Sequence, residues 1–327
     1  MKHIIPSFLW AADLNGALAF CNEVVANANN PVVCDASHLK FVDPAGLCLL
    51  AVTCNKLSIT GKRLELLNVP KEILGYLARM DLFKACGIEF AENFVRHDKA
   101  SDLVEISRVE SRATIELLAD KIAFALAGRT PDFDPNAKPD EMSGYLPHEH
   151  VSHPLRYIFS ELLENSLTHG AVPGYRGTNA WVAAQYYPKK DIIRLAVIDD
   201  GCGFLGSLIK HHKLPEKTHE AATRLALLPR ITRNPDYYLR PQDTANQGFG
   251  LTVVKEVVLN SRGSMQIISG DCRLRLTANR EYAHPASGWG GVILALELSR
   301  KYLRQLKIHE IVQKLIEREQ KIALRFE

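Results

Sequence analysis

The sequence is short of most features that would place it at once in a specialised class. It has little net charge: 40 Lys and Arg stand against 37 Asp and Glu among 327 residues, a formal charge of +3. That balance excludes a protein that holds nucleic acid by bulk electrostatics, so any charge-driven partner must be met locally. It has no Cys-x-x-Cys pair. The seven cysteines (Cys21, Cys34, Cys48, Cys54, Cys86, Cys202, Cys272) are scattered and odd in number, which argues against a disulfide framework or a zinc knuckle and for a reducing compartment. No apolar run approaches the ~18 residues that a membrane span needs. After Lys2, Pro6 and Asp13 interrupt the apolar stretch before it could serve as a signal-peptide core. The expectation is a cytoplasmic protein with no membrane partner, and nucleic acid is not an expected partner.

Two familiar catalytic signatures are also missing. In His148-Glu149-His150-Val151-Ser152-His153 the position four after His148 is Ser152, so the paired histidines of a zinc protease helix are absent. Gly61-Lys62 is not a phosphate loop, because Lys56 stands where the first glycine is required and no Ser or Thr follows the lysine.

What is present is a globular composition, 46% hydrophobic and 24% charged, at a length that suits two domains. Up to residue 96 short strands alternate with amphipathic helices, as in a small α/β domain. Val32–Asp35 reads as a strand, and Pro44-Ala45-Gly46 opens a helix carrying Leu47, Leu49, Leu50, Val52 and Leu57. Arg63–Val69 reads as a second strand, and Pro70 sits at a helix start. Residues 97–146 read as helix and linker. Glu105 to Ala127 is expected as one amphipathic helix, and the proline-rich stretch from Arg129 to Asp140 as a mobile linker. A second domain is expected over 147–299. A charged helix over 300–327, with Leu303, Leu306, Ile311, Leu315 and Ile322 on one side, either packs on that domain or offers a stripe to a partner.

Three segments of the second half carry chemistry. In Ser160-Glu161-Leu162-Leu163-Glu164-Asn165, Glu161 and Asn165 lie four apart and share a helix face. Such a pair can hold a hard divalent ion or polarise a water beside a polyphosphate, or it can simply be a solvated face. The apolar run Ile193–Ile198 ends in Asp199, followed by Gly201 and Gly203. Here a carboxylate can accept from an exocyclic amine while the glycines let the backbone approach a ligand; an Asp-Gly turn after an edge strand reads equally well. In Asn246-Gln247-Gly248-Phe249-Gly250-Leu251, glycines open an apolar helix whose free N–H groups and positive dipole end suit phosphate.

Taken together and in this order, the three segments resemble the adenine-nucleotide site of the GHKL superfamily, shared by gyrase, the heat-shock protein 90 chaperones, histidine kinases, MutL and the anti-sigma factor serine kinases. The resemblance covers roughly residues 150 to 300 and implies a C-terminal Bergerat-type α/β sandwich, with helices on one face of a mixed sheet. It implies ATP and Mg2+ as cofactors, Glu161 as the catalytic base and Asn165 as the magnesium ligand. Asp199 would be the adenine-binding aspartate, with Gly201 and Gly203 in the first glycine box and Gly248 and Gly250 in the second, where Asn246 replaces the usual leading glycine. The roughly 40 residues between the boxes would be the ATP lid. They carry Lys210, Lys213, Lys217, Arg224, Arg230, Arg233 and Arg240 against Glu216, Glu220 and Asp236, a basic segment that could close on phosphate or be plain solvated surface. The 105–127 segment has no histidine to act as a two-component phosphoacceptor.

The first half also has a likeness. Leu39-Lys40-Phe41-Val42-Asp43-Pro44-Ala45-Gly46, followed by Gly61–Asn68, resembles a STAS domain, the fold of anti-sigma factor antagonists. In phosphorylated antagonists a Ser or Thr follows the aspartate. Pro44 and Ala45 stand there in this chain, so that position cannot accept a phosphoryl group. The expectation is thus a two-domain α/β protein: a STAS-like docking or sensing domain over 1–96 and a GHKL domain of the anti-sigma kinase type. It would be a Mg-ATP-binding regulator acting as a serine/threonine kinase or ATPase on a partner protein bound through the STAS-like domain or the C-terminal helix. The alternatives are a non-catalytic nucleotide-gated switch and an ATP-driven dimerising clamp, the latter requiring a homodimer.

Overall fold

The computed structural model describes residues 2–92, 96, 102–127, 134, 136–141, 144–169, 178–231 and 249–323. The first half runs β1 (His3–Ile4), β2 (Phe8–Leu9), α1 (Leu14–Ala26), β3 (Val32–Asp35), β4 (Phe41–Val42), α2 (Pro44–Ile59), β5 (Leu64–Leu67), α3 (Lys71–Arg79) and α4 (Leu82–Ala85). β1, β3 and β5 form a parallel sheet in that order, and β2 pairs parallel with β4. Asp43 starts α2. One carboxylate oxygen accepts the N–H groups of Ala45 at 3.0 Å and Gly46 at 3.2 Å, and the other accepts from Ala11 at 2.9 Å. Pro44 follows at the first helical position, where its missing N–H costs nothing. Twelve of the 16 residues of α2 are buried, including Pro44 and Ala45, as befits a helix apolar on all sides.

The second half runs β6 (Leu103–Val109), α5 (Ile115–Ala127), α6 (Glu149–His169), β7 (Ala180–Tyr187), β8 (Ile192–Asp199), α7 (Gly203–Leu208), α8 (His219–Ala226), α9 (Gly250–Asn260), β9 (Ser264–Thr277), β10 (Arg280–Ser299), α10 (Arg300–Leu303) and α11 (Ile308–Ala323). Five strands form one sheet in the order β6-β7-β8-β10-β9. Its four pairings are all antiparallel, which corrects the expected mixed sheet. Reading Glu105 to Ala127 as one helix is corrected too. Leu103–Val109 is the edge strand beside β7, and Ser111 then accepts the Ala113 N–H at 3.3 Å in the turn that leads into α5. Part of the stretch expected as helix and linker thus supplies a strand of the sheet and a helix packed on α6; residues 129–133 and 135, in the expected mobile segment, lie outside the described residues.

Strand alternation sends side chains to two different partners. From β8, Ile193, Leu195 and Val197 join a core with α5, α6 and α9. Ala196 and Ile198, with Trp181, Ile268, Ile293 and Ala295, join a core with α1 and α2 instead. The N-terminal unit therefore covers the face of the sheet that the helices of the second half leave open. Polar contacts follow the same seam: the Tyr76 hydroxyl donates to Gln185 at 2.8 Å, Arg79 pairs with Glu105, Gln266 donates to the Ala11 carbonyl, and Arg194 lies 3.8 Å from Asp43. At the C-terminal end the expected helix breaks into α10 and α11. The apolar stripe of α11 packs on α9, with Leu315 buried and Ile311 and Val312 against the core. All seven cysteines are free. Among the described residues no helix is long and apolar enough to cross a membrane, and none of the His, Cys, Asp and Glu side chains, His148, His150 and His153 included, group as a metal centre.

Candidate functional site

α6 carries the first part of the site. Val151, Leu155, Ile158, Phe159, Leu162 and Leu163 are buried on its sheet-facing side, which fixes the rotation of the helix and leaves Glu161 and Asn165, one turn apart, at the edge of that stripe. Tyr157, a further turn back, hydrogen-bonds to Glu161. Burial, with the Glu164 charge adding to it, pushes the Glu161 carboxyl up to about 7, and the Tyr157 bond only partly offsets this. The Asn165 amide is half-buried and makes no hydrogen bond to described residues.

β8 supplies the second part. Asp199, its last residue, is 4% exposed. Oδ1 accepts the Gly201 N–H at 3.0 Å and the Val292 N–H at 3.1 Å, and the main-chain oxygen accepts the Trp289 indole N–H at 2.8 Å. Burial raises its carboxyl to about 7, although the two backbone donors and the Ser166 hydroxyl pull it down. Both backbone bonds fall on Oδ1, so Oδ2 takes neither of them. Gly203 has φ +67°, and a Cβ there would stand 2.7 Å from Ser269 Oγ and 2.9 Å from the Gly290 carbonyl; only glycine fits this turn.

The third part is the start of α9. Phe249 occupies the cap position without a side-chain cap bond, so the first-turn N–H groups, which have no intrahelical acceptor, are not capped by it. A Cβ at Gly250 would run into the Glu161 carboxylate, so glycine is what lets the α6 carboxylate reach the positive end of α9. Gly248, expected beside it, lies outside the described residues, as do Asn246 and the lid residues Arg233, Asp236 and Arg240. Within the lid, Lys210, Lys213 and Lys217 are exposed. Arg224 pairs with Glu220 and Glu281, and Arg230 pairs with Glu319 on α11 at 2.6 Å while lying over the Phe249 ring.

The structure thus brings Glu161 of α6 against Gly250 of α9, and Asp199 of β8 against Gly201 and against Ser166, the neighbour of Asn165 on α6; Gly203 opens α7 beside Ser269 and the Gly290-Gly291 pair. The sequence reading did not single out Tyr157, Ser166, Ser269 or Trp289. A signal existed for the last: Gly290-Gly291 inside a strand marks close backbone approach, and a Cβ at Gly291 would run into the Asp199 main chain.

Chemically the cleft suits a nucleotide. The Asp199 oxygen that takes neither backbone bond can accept from an exocyclic amine, and the start of α9 can receive phosphate. The Asn165 amide is a hard oxygen donor of the kind that shares Mg2+ with phosphate oxygens and water, as this ion requires few protein ligands. The family described as histidine kinase-, DNA gyrase B-, and HSP90-like ATPase has a model that matches residues 150–281. That span contains all seven residues expected at the site, and it supports the GHKL reading of this part of the chain and its binding of ATP. No curated protein and no solved structure matches the chain.

Proposed function

We propose that the chain is a Mg-ATP-dependent regulator of the anti-sigma kinase type, transferring the γ-phosphoryl group to a Ser or Thr hydroxyl of a partner protein. The observation that carries this reading is the Glu161 carboxylate, raised to about 7 and set against the start of α9. A base works best when its pKa lies near the working pH. Asp199 Oδ2 orients the adenine, the N–H groups at Gly250 and Leu251 hold phosphate, and Asn165 would hold magnesium. Bound there, the ion would neutralise charge between the β- and γ-phosphates. Glu161 takes the proton of the attacking hydroxyl as the new O–P bond forms and the bond to the β-phosphate oxygen breaks, releasing ADP. With water in place of the hydroxyl the same residues hydrolyse ATP.

The N-terminal unit acts on this reading as a STAS-like docking module for the partner, or as a sensor. Pro44 and Ala45, at the usual acceptor position, are buried, so the acceptor is sought in another chain. A second reading, a nucleotide-gated switch without turnover, draws support from the shared core between the two halves, through which a change at the cleft could reach the N-terminal unit. Incubation with γ-labelled Mg-ATP, alone and with cell extract, separates the readings. Label on a protein supports the kinase, free phosphate the ATPase, and label retained only as bound ATP the switch. An outcome with neither labelled protein, nor released phosphate, nor bound ATP overturns all three.

A further inference from the structure

Between Pro285 and Val292, β10 shifts register twice against β9. A bulge of this kind re-aims side chains next to functional sites, and here the displaced segment supplies two of the contacts that hold Asp199. Trp289 donates its indole N–H to the Asp199 main-chain oxygen at 2.8 Å, and Val292 donates its backbone N–H to Oδ1 at 3.1 Å.

The same bulge is gripped from its other side by the N-terminal unit. Asn15 of α1 accepts the Ser287 N–H at 2.8 Å and the Ser287 hydroxyl at 3.2 Å. Asn22 of α1 donates to the carbonyls of Ser287 and Gly288, both at 3.0 Å. Lys56, near the end of α2, places its ammonium 3.5 Å from the centre of the Trp289 ring. Trp289 is 5% exposed, so this cation faces the indole from a largely dry site, where such contacts are strongest. Asp200, next to the adenine aspartate, is the carboxylate whose charge acts on Lys56. Asp200 is itself fixed by Asn179, which donates its N–H to it at 2.8 Å. A short chain of contacts therefore runs from α2 through the indole of Trp289 to the backbone of Asp199.

We propose that the N-terminal unit sets the nucleotide affinity of the second half. Lys56, Asn15 and Asn22 are positioning residues that hold the 285–292 bulge, and the bulge in turn holds the Asp199 carboxylate in the orientation that adenine reads. The inference rests on the reading of Asp199 as the adenine-binding aspartate. Because coupling between two sites is reciprocal, nucleotide in the cleft tightens the grip of α1 and α2 on the bulge. A ligand or partner that pulls α2 from the sheet therefore lowers nucleotide affinity.

The test is calorimetric titration of the full chain with Mg-ADP. Lys56→Met should weaken binding roughly fivefold to tenfold, a part of the roughly 30-fold that a desolvated cation–π contact is worth because Asn15 and Asn22 still hold the bulge, and Lys56→Arg should restore it to within about twofold because guanidinium also seats on an indole. Asn22→Ala, a milder change at the seam, should weaken binding about twofold to fivefold, in line with a lost hydrogen-bonded pair. Hydrogen exchange supplies a readout that packing alone would not move: Mg-ADP should slow amide exchange over residues 15–22 and 285–291 in the wild type, and less so in Lys56→Met. Wild-type affinity in both Lys56→Met and Asn22→Ala, with Asp199→Asn inactive, overturns the proposal and leaves the adenine assignment standing. Equal loss in Lys56→Met and Lys56→Arg overturns it as well. Wild-type protein that takes up no Mg-ADP removes the adenine assignment and the proposal with it.

Discussion

Replacing Asp199 by asparagine should make the nucleotide-free protein more stable while removing its ability to bind nucleotide. The new amide keeps a carbonyl oxygen that accepts the Gly201 and Val292 N–H groups, so the backbone bonds at 3.0 and 3.1 Å survive. What disappears is a buried ionisable group whose carboxyl is raised from the ordinary 3.8 to about 7. A shift of that size corresponds to about 4 kcal/mol at full ionisation. The sign follows from proton counting. Between pH 4 and 7 the folded state keeps a proton that the unfolded chain has released, so stability falls as pH rises through that window and the whole cost is present above pH 7. The amide of the Asp199→Asn variant does not titrate. The stability gap between variant and wild type should therefore be near zero at pH 4, about 1–2 kcal/mol at pH 5 and about 4 kcal/mol at pH 8. Denaturant unfolding followed by tryptophan fluorescence at these pH values measures the gap. In parallel, Mg-ADP binding should vanish, because the introduced amide presents N–H where adenine also presents N–H. A gap that is the same at pH 5 and pH 8, or a variant less stable than wild type at pH 8, refutes the account of Asp199 as an ionisable group buried for its ligand.

Glu161→Gln should retain nucleotide binding and lose turnover by about 100-fold or more, and in the wild type kcat should rise with pH through about 7 as the base ionises; a flat profile from pH 6 to 8 sinks the assignment. Asn165→Ala should leave little difference between ADP affinity in magnesium and in EDTA, whereas the wild type shows a clear one in the same titration. Asp43→Ala removes the start signal of α2 and orphans the Ala11 N–H as well, which should destabilise the fold by about 2–4 kcal/mol. Urea unfolding checks this, and a loss under about 1 kcal/mol, the usual worth of a single cap, contradicts the role given to Asp43.

Where the structure places the candidate residues is legible in the sequence because the signals are local. Glu161 and Asn165 need only the period of a helix, Asp199 only the end of an apolar run, and Gly201 and Gly203 only a backbone that must turn tightly. Strand β6 was hidden for a physical reason. Val104, Ile106 and Val109 suit a helical stripe as well as a strand, and the register shift between Val104 and Ser107 breaks the alternation that would have favoured the strand. The Ser111 cap was the available clue that the helix starts later. The role of Trp289 was out of reach because it depends on three segments more than 80 residues apart in sequence: α2, the end of β8 and the bulge in β10. The same holds for the partner of the sheet's second face. Alternation in β8 says that Ala196 and Ile198 point away from Ile193 and Val197, yet nothing local says that α2 will meet them.

The doubly covered sheet also bears on inheritance. A module that folds by itself can be passed between proteins as a unit, because its surface is already suited to water. Here an isolated ATP-binding half would present Trp181, Ile198, Ile268 and Ile293 to solvent, a patch that invites association rather than independence. The isolated N-terminal half would expose the matching side of α2. A relative that carried either half alone should show polar residues at those positions.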